Sequence, residues 1–133
     1  MDIIVSGIGM VGRSICASLV KEKHNVTVID VDENALRDLS DNLDVQTIKG
    51  SGSDISSLRK AGCSKAELVV AVAGSDETNI LTCAAASKLG AKRTIARVRD
   101  PGLVELTDYM KDEIGLSVTI NPELTAAKEI YRM

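Results

Sequence analysis

The sequence has few aromatic residues, cysteines and histidines. Among 133 residues there is no tryptophan or phenylalanine, and Tyr109 and Tyr131 are the only aromatic residues, so the sequence offers little on which single-stranded nucleic acids could stack. The cysteines Cys16, Cys63 and Cys83 show neither a paired disulfide spacing nor a C-x-x-C motif, and His24 stands alone. We therefore expect a reduced, cytoplasmic protein without a zinc site.

A net positive charge and long apolar runs are lacking as well. The formal net charge is -3 and the isoelectric point is about 5.2, so a phosphate backbone has little to hold on to and no nucleic acid is expected as a partner. No apolar run approaches the roughly 20 residues that span a bilayer, and the chain begins directly with a strand. These features predict one soluble domain with no direct membrane insertion, which can still dock on a membrane protein.

The most informative stretch is residues 3–32, where an apolar strand, a glycine turn, a helix and a second strand follow one another. Gly7, Gly9 and Gly12 have the spacing G-x-G-x-x-G. Gly7 lets the chain turn off the strand, Gly9 leaves room for a pyrophosphate, and Gly12 lets the helix pack closely on the sheet. The N–H groups at the helix start are then available to an anion. This pattern predicts a dinucleotide-binding βαβ unit.

Asp30 ends the second strand, roughly 20 residues beyond the glycines, as the dinucleotide fingerprint requires. A carboxylate at this position accepts hydrogen bonds from both hydroxyls of an adenosine ribose. It also repels a 2'-phosphate, and Asp32 adds to that negative field. The spacing therefore favours NAD(H), or an adenine nucleotide with a free ribose, over NADP(H). The alternative is a glycine turn followed by a solvated aspartate.

Strands and helices alternate along the whole chain with loops of a few residues. This alternation predicts an α/β fold, a doubly wound, Rossmann-like parallel six-stranded sheet with helices on both faces and strand order 3-2-1-4-5-6. The near-continuous apolar run at 68–73 is typical of a central strand. Ligands of such sheets bind at the carboxyl ends of the strands, between strands one and four. The predicted strands are 3–5, 25–30, 45–49, 68–73, 94–98 and 117–120.

Helical spacing also predicts which side chains face the core. The expected inner residues are Leu81, Ala85 and Leu89 in the fourth helix and Leu103, Leu106 and Met110 in the fifth. A last helix is expected after Asn121 and Pro122, and its apolar residues Leu124, Ala127, Ile130 and Tyr131 could form a hinge or swapped contact in a dimer. Cys16 and Cys83 are expected in the core, whereas Cys63 is expected in a loop.

Other candidate residues follow the later strands. The small residues 51–53 suit the edge of an adenine, although an ordinary tight turn is the alternative. Arg97 and Arg99 alternate along the fifth strand and could reach a phosphate, or could instead pair with Asp100 or a neighbouring subunit. Residues 76–79 open the fourth helix, where carboxylates are ordinary caps and dipole partners and a ligand role is the alternative.

Groups for catalysis on a nicotinamide are missing. A dehydrogenase needs a proton donor or acceptor beside the cofactor, but His24 lies by the start of the second strand and neither tyrosine belongs to a Tyr-x-x-x-Lys motif. The sequence therefore predicts a binding module rather than an enzyme. The alternative is the cofactor-binding half of an NAD-dependent dehydrogenase.

Six segments in this order, GIGMVG, VIDVDENALRDL, VQTIKGSGSD, VVAVAGSDETNIL, KRTIARVRDP and INPEL, resemble the RCK or KTN regulatory domains of potassium channels and transporters, in particular those of Trk-type uptake systems. The resemblance implies a cytoplasmic domain, peripheral to the inner face of the cell membrane, that binds NAD(H) or ATP/ADP. It implies homodimers or higher rings and the gating of a membrane potassium-translocating subunit. Residues 1–133 would be the N-terminal nucleotide-binding domain, with the C-terminal ligand domain outside this chain.

The resemblance also implies the roles of individual residues. The phosphates would contact Gly7, Ile8, Gly9, Met10, Val11 and Gly12. The ribose would contact Asp30 and Val31, and Ser51 and Gly52 would flank the adenine. Ala73 and Gly74 would lie under the nucleotide, and Arg97 and Arg99 would contact its phosphate or distal end. Many members of the family have an acidic residue in place of Ser51. Many have an arginine in place of Met10, and its loss here favours NAD(H) over ATP.

Overall fold

The structure is a computed structural model that describes residues 1–121, and its centre is a parallel sheet. Its strands are β1 (Asp2–Ser6), β2 (Asn25–Asp30), β3 (Gln46–Lys49), β4 (Leu68–Ala71), β5 (Arg93–Arg97) and β6 (Val118–Ile120). Within these residues the sheet has six strands in the order β3-β2-β1-β4-β5-β6, and every neighbouring pair is parallel. The predicted Rossmann-like fold and its strand order are confirmed.

Helices cover both faces of the sheet. They are α1 (Met10–Lys21), α2 (Glu33–Asn42), α3 (Ile55–Lys60), α4 (Asp76–Lys88), α5 (Pro101–Tyr109) and the short α6 (Lys111–Ile114), with a 3-10 turn at Cys63–Lys65. Successive residues of β1 point to opposite faces, so Ile3 and Val5 pack with α1 and α2, whereas Ile4 packs with α3 and α4. Two apolar layers therefore enclose the sheet.

The register of the parallel strands gives the sheet two distinct edges. At one edge Ser6, the last residue of β1, lies beside Ile29 of β2 and Ala71 of β4. We call this the carboxyl edge, and the opposite edge, where the strands begin, the amino edge. The connections of the neighbouring strands β1 and β4 leave in opposite directions, and doubly wound sheets bind ligands in the crevice that this reversal creates at the carboxyl edge.

The predicted inner faces of α4 and α5 are partly wrong. Leu81 is 60% exposed, Leu106 49% and Met110 40%. The buried residues are instead Asn79, Thr82, Cys83 and Ala86 in α4 and Thr107 in α5. Polar side chains can face inwards here because backbone carbonyls accept their hydrogen bonds. For example, the Thr82 hydroxyl donates to the Thr78 carbonyl oxygen at 2.7 Å. Hydrophobicity alone therefore places these helices in the wrong rotation.

Two further predictions are wrong in detail, and a third concerns residues that the structure does not describe. Cys63 does not lie in a loop but begins the 3-10 turn, where it is fully buried with its thiol 3.6 Å from the Ala86 carbonyl oxygen. Strand β4 ends at Ala71 rather than at residue 73, because the Ala73 N–H donates to the Asn79 side chain instead of continuing the ladder. The predicted last helix lies outside the described residues.

The buried cysteines lead to a prediction about thiol reactivity. Burial raises the pKa of Cys16 and Cys83 from 9.0 to about 12 and also raises that of Cys63, so all three thiols are protonated and shielded at pH 8. We expect a disulfide reagent such as dithionitrobenzoate to modify them no faster than the protein unfolds, and rapidly in guanidinium chloride.

Rapid modification of the native protein would contradict this prediction. The same pKa shifts predict how the stability of the protein depends on pH, because the folded state holds these thiols protonated more strongly than the unfolded state does. Their contribution to stability is therefore complete below about pH 9 and is lost as the pH rises towards 12.

Candidate functional site

The glycine turn between β1 and α1 is fixed by close backbone contacts. Gly7 has a φ of 97°, and a Cβ there would lie 2.6 Å from the backbone nitrogen of Ala73. A Cβ on Gly12 would overlap the carbonyl oxygen of Gly7, whereas one on Gly9 would meet no atom within 4 Å. Gly7 and Gly12 are therefore required by packing, while the backbone at Gly9 borders open space that a ligand can enter.

The first turn of α1 has no side-chain cap. Its N-cap, Gly9, offers no acceptor, and the first turn contains no acidic residue. The following four helices are capped by Asp32, Asp54, Ser75 and Asp100. Among residues 1–121, no side chain therefore satisfies the positive end of the α1 dipole or the N–H groups of Met10 and Val11. This is the arrangement that binds anions in other folds.

Asp30 connects the end of β2 to the glycine turn. Its carboxylate accepts hydrogen bonds from the Ile8 amide at 2.9 Å and from the Asp32 amide at 2.8 Å. A carboxylate has about four acceptor positions, so it keeps capacity for a ligand. The Ile8 side chain is buried in the core and its N–H is already engaged, so the structure does not bring this residue's side chain to the site. Val31 is 67% exposed beside Asp30.

The loop after β3 has a structural reason for its glycine. Gly52 is buried, and a Cβ there would overlap the hydroxyl of Ser6 at the end of β1 and lie 3.0 Å from the Thr82 side chain. The Ser51 and Ser53 hydroxyl oxygens are 2.8 Å apart, within hydrogen-bonding distance. Close packing against β1 and α4 therefore holds Ser51 and Gly52 at the carboxyl edge, as predicted, but it would select glycine even without an adenine.

Asn79 joins the ends of β4 and β5, a role that the sequence did not indicate. Its side chain is 1% exposed and accepts from the Ala73 N–H at 2.8 Å. Its amide group donates to the carbonyl oxygens of Ala73 at 3.1 Å and Arg97 at 2.9 Å. The backbone at Ala73 and at Arg97 is therefore held by one buried amide, which fixes where these two predicted site residues lie.

Asp76 makes a second connection between the segments that follow β4 and β5. Its carboxylate, on a side chain 11% exposed, accepts from the backbone N–H groups of Arg99 at 3.0 Å and Asp100 at 2.9 Å. The Arg99 guanidinium donates to the Gly74 carbonyl at 2.9 Å and lies 3.9 Å from Asp76. Arg99 thus pairs with Asp76 rather than with Asp100, which caps α5. The loops that carry Gly74 and Arg99 form one unit at the carboxyl edge.

His24 lies far from this edge. It precedes β2 at the amino edge, where its Nδ1 is 3.2 Å from the amino group of Met1. Within residues 1–121 no three histidine, cysteine or acidic side chains are grouped so that they could hold a metal ion. No helix of that region has the length and hydropathy to cross a membrane.

The Asn79 connection predicts a large loss of stability on truncation. In Asn79→Ala one buried N–H and two carbonyls lose their partner, and we expect the free energy of unfolding to fall by about 2–4 kcal/mol. Urea denaturation measures the change. Asn34→Ala is the matched control, because Asn34 is exposed on α2, and it should stay within about 0.5 kcal/mol. Equal effects of the two substitutions would contradict the assigned role.

Solved structures share this architecture. The TrkA-N domain of the inner membrane protein ybaL from Escherichia coli has a TM-score of 0.80 at 17% identity, over 98% of this chain and 93% of that one. The GsuK channel bound to NAD has a TM-score of 0.73 at 20% identity, over 89% of this chain and 21% of that one. The ADP-bound form of GsuK gives the same TM-score and identity, over 90% and 31%. At these identities the likeness establishes the fold.

Sequence relatives establish the family. Residues 3–122 match the family model of the TrkA-N domain. The Trk system potassium uptake protein TrkA of Halomonas elongata is 36% identical over 135 residues, and a TrkA homolog of Archaeoglobus fulgidus is 37% identical over 133. Both alignments span 100% of this chain and 30% of the relative. Because the family model and these relatives cover nearly all of the chain, the resemblance to RCK or KTN domains is confirmed, and the chain belongs to the TrkA-N domain family.

Proposed function

We propose that the domain binds NAD(H), or alternatively ATP/ADP, across the carboxyl edge of the sheet. The observation that carries the proposal is the uncapped first turn of α1 at the β1–β4 crevice. It leaves backbone donors and the positive helix end for a diphosphate. Family membership supports the same conclusion, since GsuK of the same fold is known in NAD-bound and ADP-bound forms.

The residues present fit such a ligand. The open space at Gly9 allows a phosphate to approach the backbone, with Met10 and Val11 at the first turn. Asp30 is held in place by two backbone N–H groups and would accept hydrogen bonds from the adenosine ribose. Ser51 and Gly52 would then flank the adenine, and Ala73, Gly74, Arg97 and Arg99 would lie below the nucleotide and at its distal end.

The charge at Asp30 bears on the choice of nucleotide. A carboxylate beside the ribose disfavours a 2'-phosphate, so NAD(H) is proposed over NADP(H). At Met10 the chain has an exposed thioether and no cation for a terminal phosphate, which favours NAD(H) over ATP. When bound, a nicotinamide would supply redox chemistry. The protein residues assigned here bind and orient the nucleotide without moving a proton.

The proposed role of binding is regulatory. The relatives are named Trk system potassium uptake proteins, and the chain spans 30% of their length. We infer that the domain acts on the cytoplasmic side, as a homodimer or higher ring, to gate a membrane potassium-translocating partner. A nucleotide can drive gating only if it binds two arrangements of the domains with different affinity. The position of His24 at the amino edge gives no support to the dehydrogenase alternative.

The Asp30→Asn substitution tests the proposed site. The amide keeps the shape of the side chain but loses the negative charge beside the ribose hydroxyls, and one of the two backbone N–H groups loses its acceptor oxygen. We expect the affinity for NADH to fall by roughly 1.5–3 kcal/mol, and the preference for NADH over NADPH to narrow because the repulsion of the 2'-phosphate is removed. Isothermal titration calorimetry with NADH, NAD+, ATP, ADP and NADPH measures both effects.

Asp44→Asn is the matched control, since Asp44 is an exposed carboxylate that precedes β3. Its NADH affinity should equal that of the unmodified protein. Thermal unfolding of both variants without ligand separates loss of binding from loss of structure. Failure of all five nucleotides to bind, or unchanged NADH affinity in a folded Asp30→Asn variant, would overturn the proposal.

A further inference from the structure

Positive charge is concentrated in one part of this acidic protein. The segments 59–67 and 88–93 carry six cations and a single carboxylate, Glu67. The rest of the described chain has twice as many carboxylates as cations. We call the six cations the basic patch: Arg59, Lys60, Lys65, Lys88, Lys92 and Arg93.

The two segments touch each other at the amino edge. The Lys92 N–H donates to the Ala66 carbonyl at 3.1 Å. The backbone at Gly90 packs against Ser64, since a Cβ there would lie 3.3 Å from the Ser64 carbonyl oxygen. Arg93 opens β5 beside Leu68 of β4. The two segments that carry the six cations therefore lie side by side, at the ends of α3 and α4.

The basic patch is not neutralised by the part of the chain that the structure describes. All six residues are exposed, and none has an ion pair within residues 1–121. By contrast, the cations Arg13, Arg37, Lys49 and Arg99 each have a carboxylate within 4 Å. Long side chains without fixed partners suit a diffuse anionic surface better than a single carboxylate.

Helix termini explain part of this distribution. Arg59 and Lys60 end α3 and Lys88 ends α4, where cations interact favourably with the helix dipole. Lys92 and Arg93 belong to no helix, because they lie at the start of β5. The helix dipoles alone therefore do not account for the patch.

We propose that the basic patch docks on anionic phospholipid headgroups at a membrane surface. Each lysine or arginine close to such a surface raises the membrane partition coefficient about fivefold. The carboxylates elsewhere on the protein repel the membrane little, because salt screens charges beyond a Debye length of ~10 Å. The patch lies at the amino edge, so docking would leave the crevice at the carboxyl edge accessible. The inference extends the proposed function, because it gives the domain its own contact with the membrane that holds the partner.

Vesicle sedimentation tests the proposal. We expect the protein to sediment with vesicles of phosphatidylcholine and phosphatidylglycerol at about 0.1 M salt and to be released at about 1 M, where the Debye length falls to ~3 Å. Vesicles of phosphatidylcholine alone should not bind it. The variant Lys88→Glu/Lys92→Glu should lower the partition coefficient more than tenfold.

The matched control is Arg37→Glu/Lys49→Glu, which makes the same charge change at exposed cations outside the patch and should alter binding less than about twofold. Equal losses in both variants, or no binding to anionic vesicles, would overturn the proposal. Binding to polyglutamate that depends on the patch, without vesicle binding, would assign an acidic protein instead. Calorimetry measures the NADH affinity of both variants, so a loss of vesicle binding can be distinguished from a failure of the proposed nucleotide site.

Discussion

The hydrogen bond from the Ile8 amide to the Asp30 carboxylate connects the two halves of the candidate site. It ties the glycine turn to the end of β2, so that the residue proposed for the ribose and the helix start proposed for the phosphates keep a fixed relation. Gly7 adds to this constraint, because its backbone packs too closely on Ala73 for any side chain. These contacts hold the proposed ligand groups in place without a ligand, and such preorganisation would reduce the entropy lost on binding.

Local patterns predicted the fold, and they also indicated the glycine turn and Asp30 of the candidate site. The spacing of Gly7, Gly9 and Gly12 and the alternation of strand and helix are short-range signals, and they fixed the strand order correctly. Asn79 and Asp76 were not recognised as connectors, since their partners after β5 lie 18 to 24 residues away and only the folded chain brings them together. The inner face of α4 was predicted wrongly because hydropathy favours burial of Leu81, whereas packing and hydrogen bonding in the folded chain bury smaller residues.

The two edges of the sheet differ in charge and in the groups that they offer. At the carboxyl edge, acidic caps satisfy most helix starts, and α1 is left open beside Asp30. At the amino edge, under α3 and α4, unpaired lysines and arginines collect. A parallel sheet orients all its crossover helices with their starts at one edge and ends at the other. One topology thus gives the domain one end that carries the candidate nucleotide site and one end that is cationic.

The most direct test of the nucleotide site is an amide chemical-shift titration of the nitrogen-15-labelled protein with NADH. The account predicts that the amides of Gly9, Met10 and Val11 shift most, because a diphosphate contacts them, with smaller changes at Ser51 and Gly74. Amides of the amino edge, such as that of Lys92, should stay unchanged. Saturable shifts centred on the amino edge, or no shifts at the first turn of α1, would contradict the account.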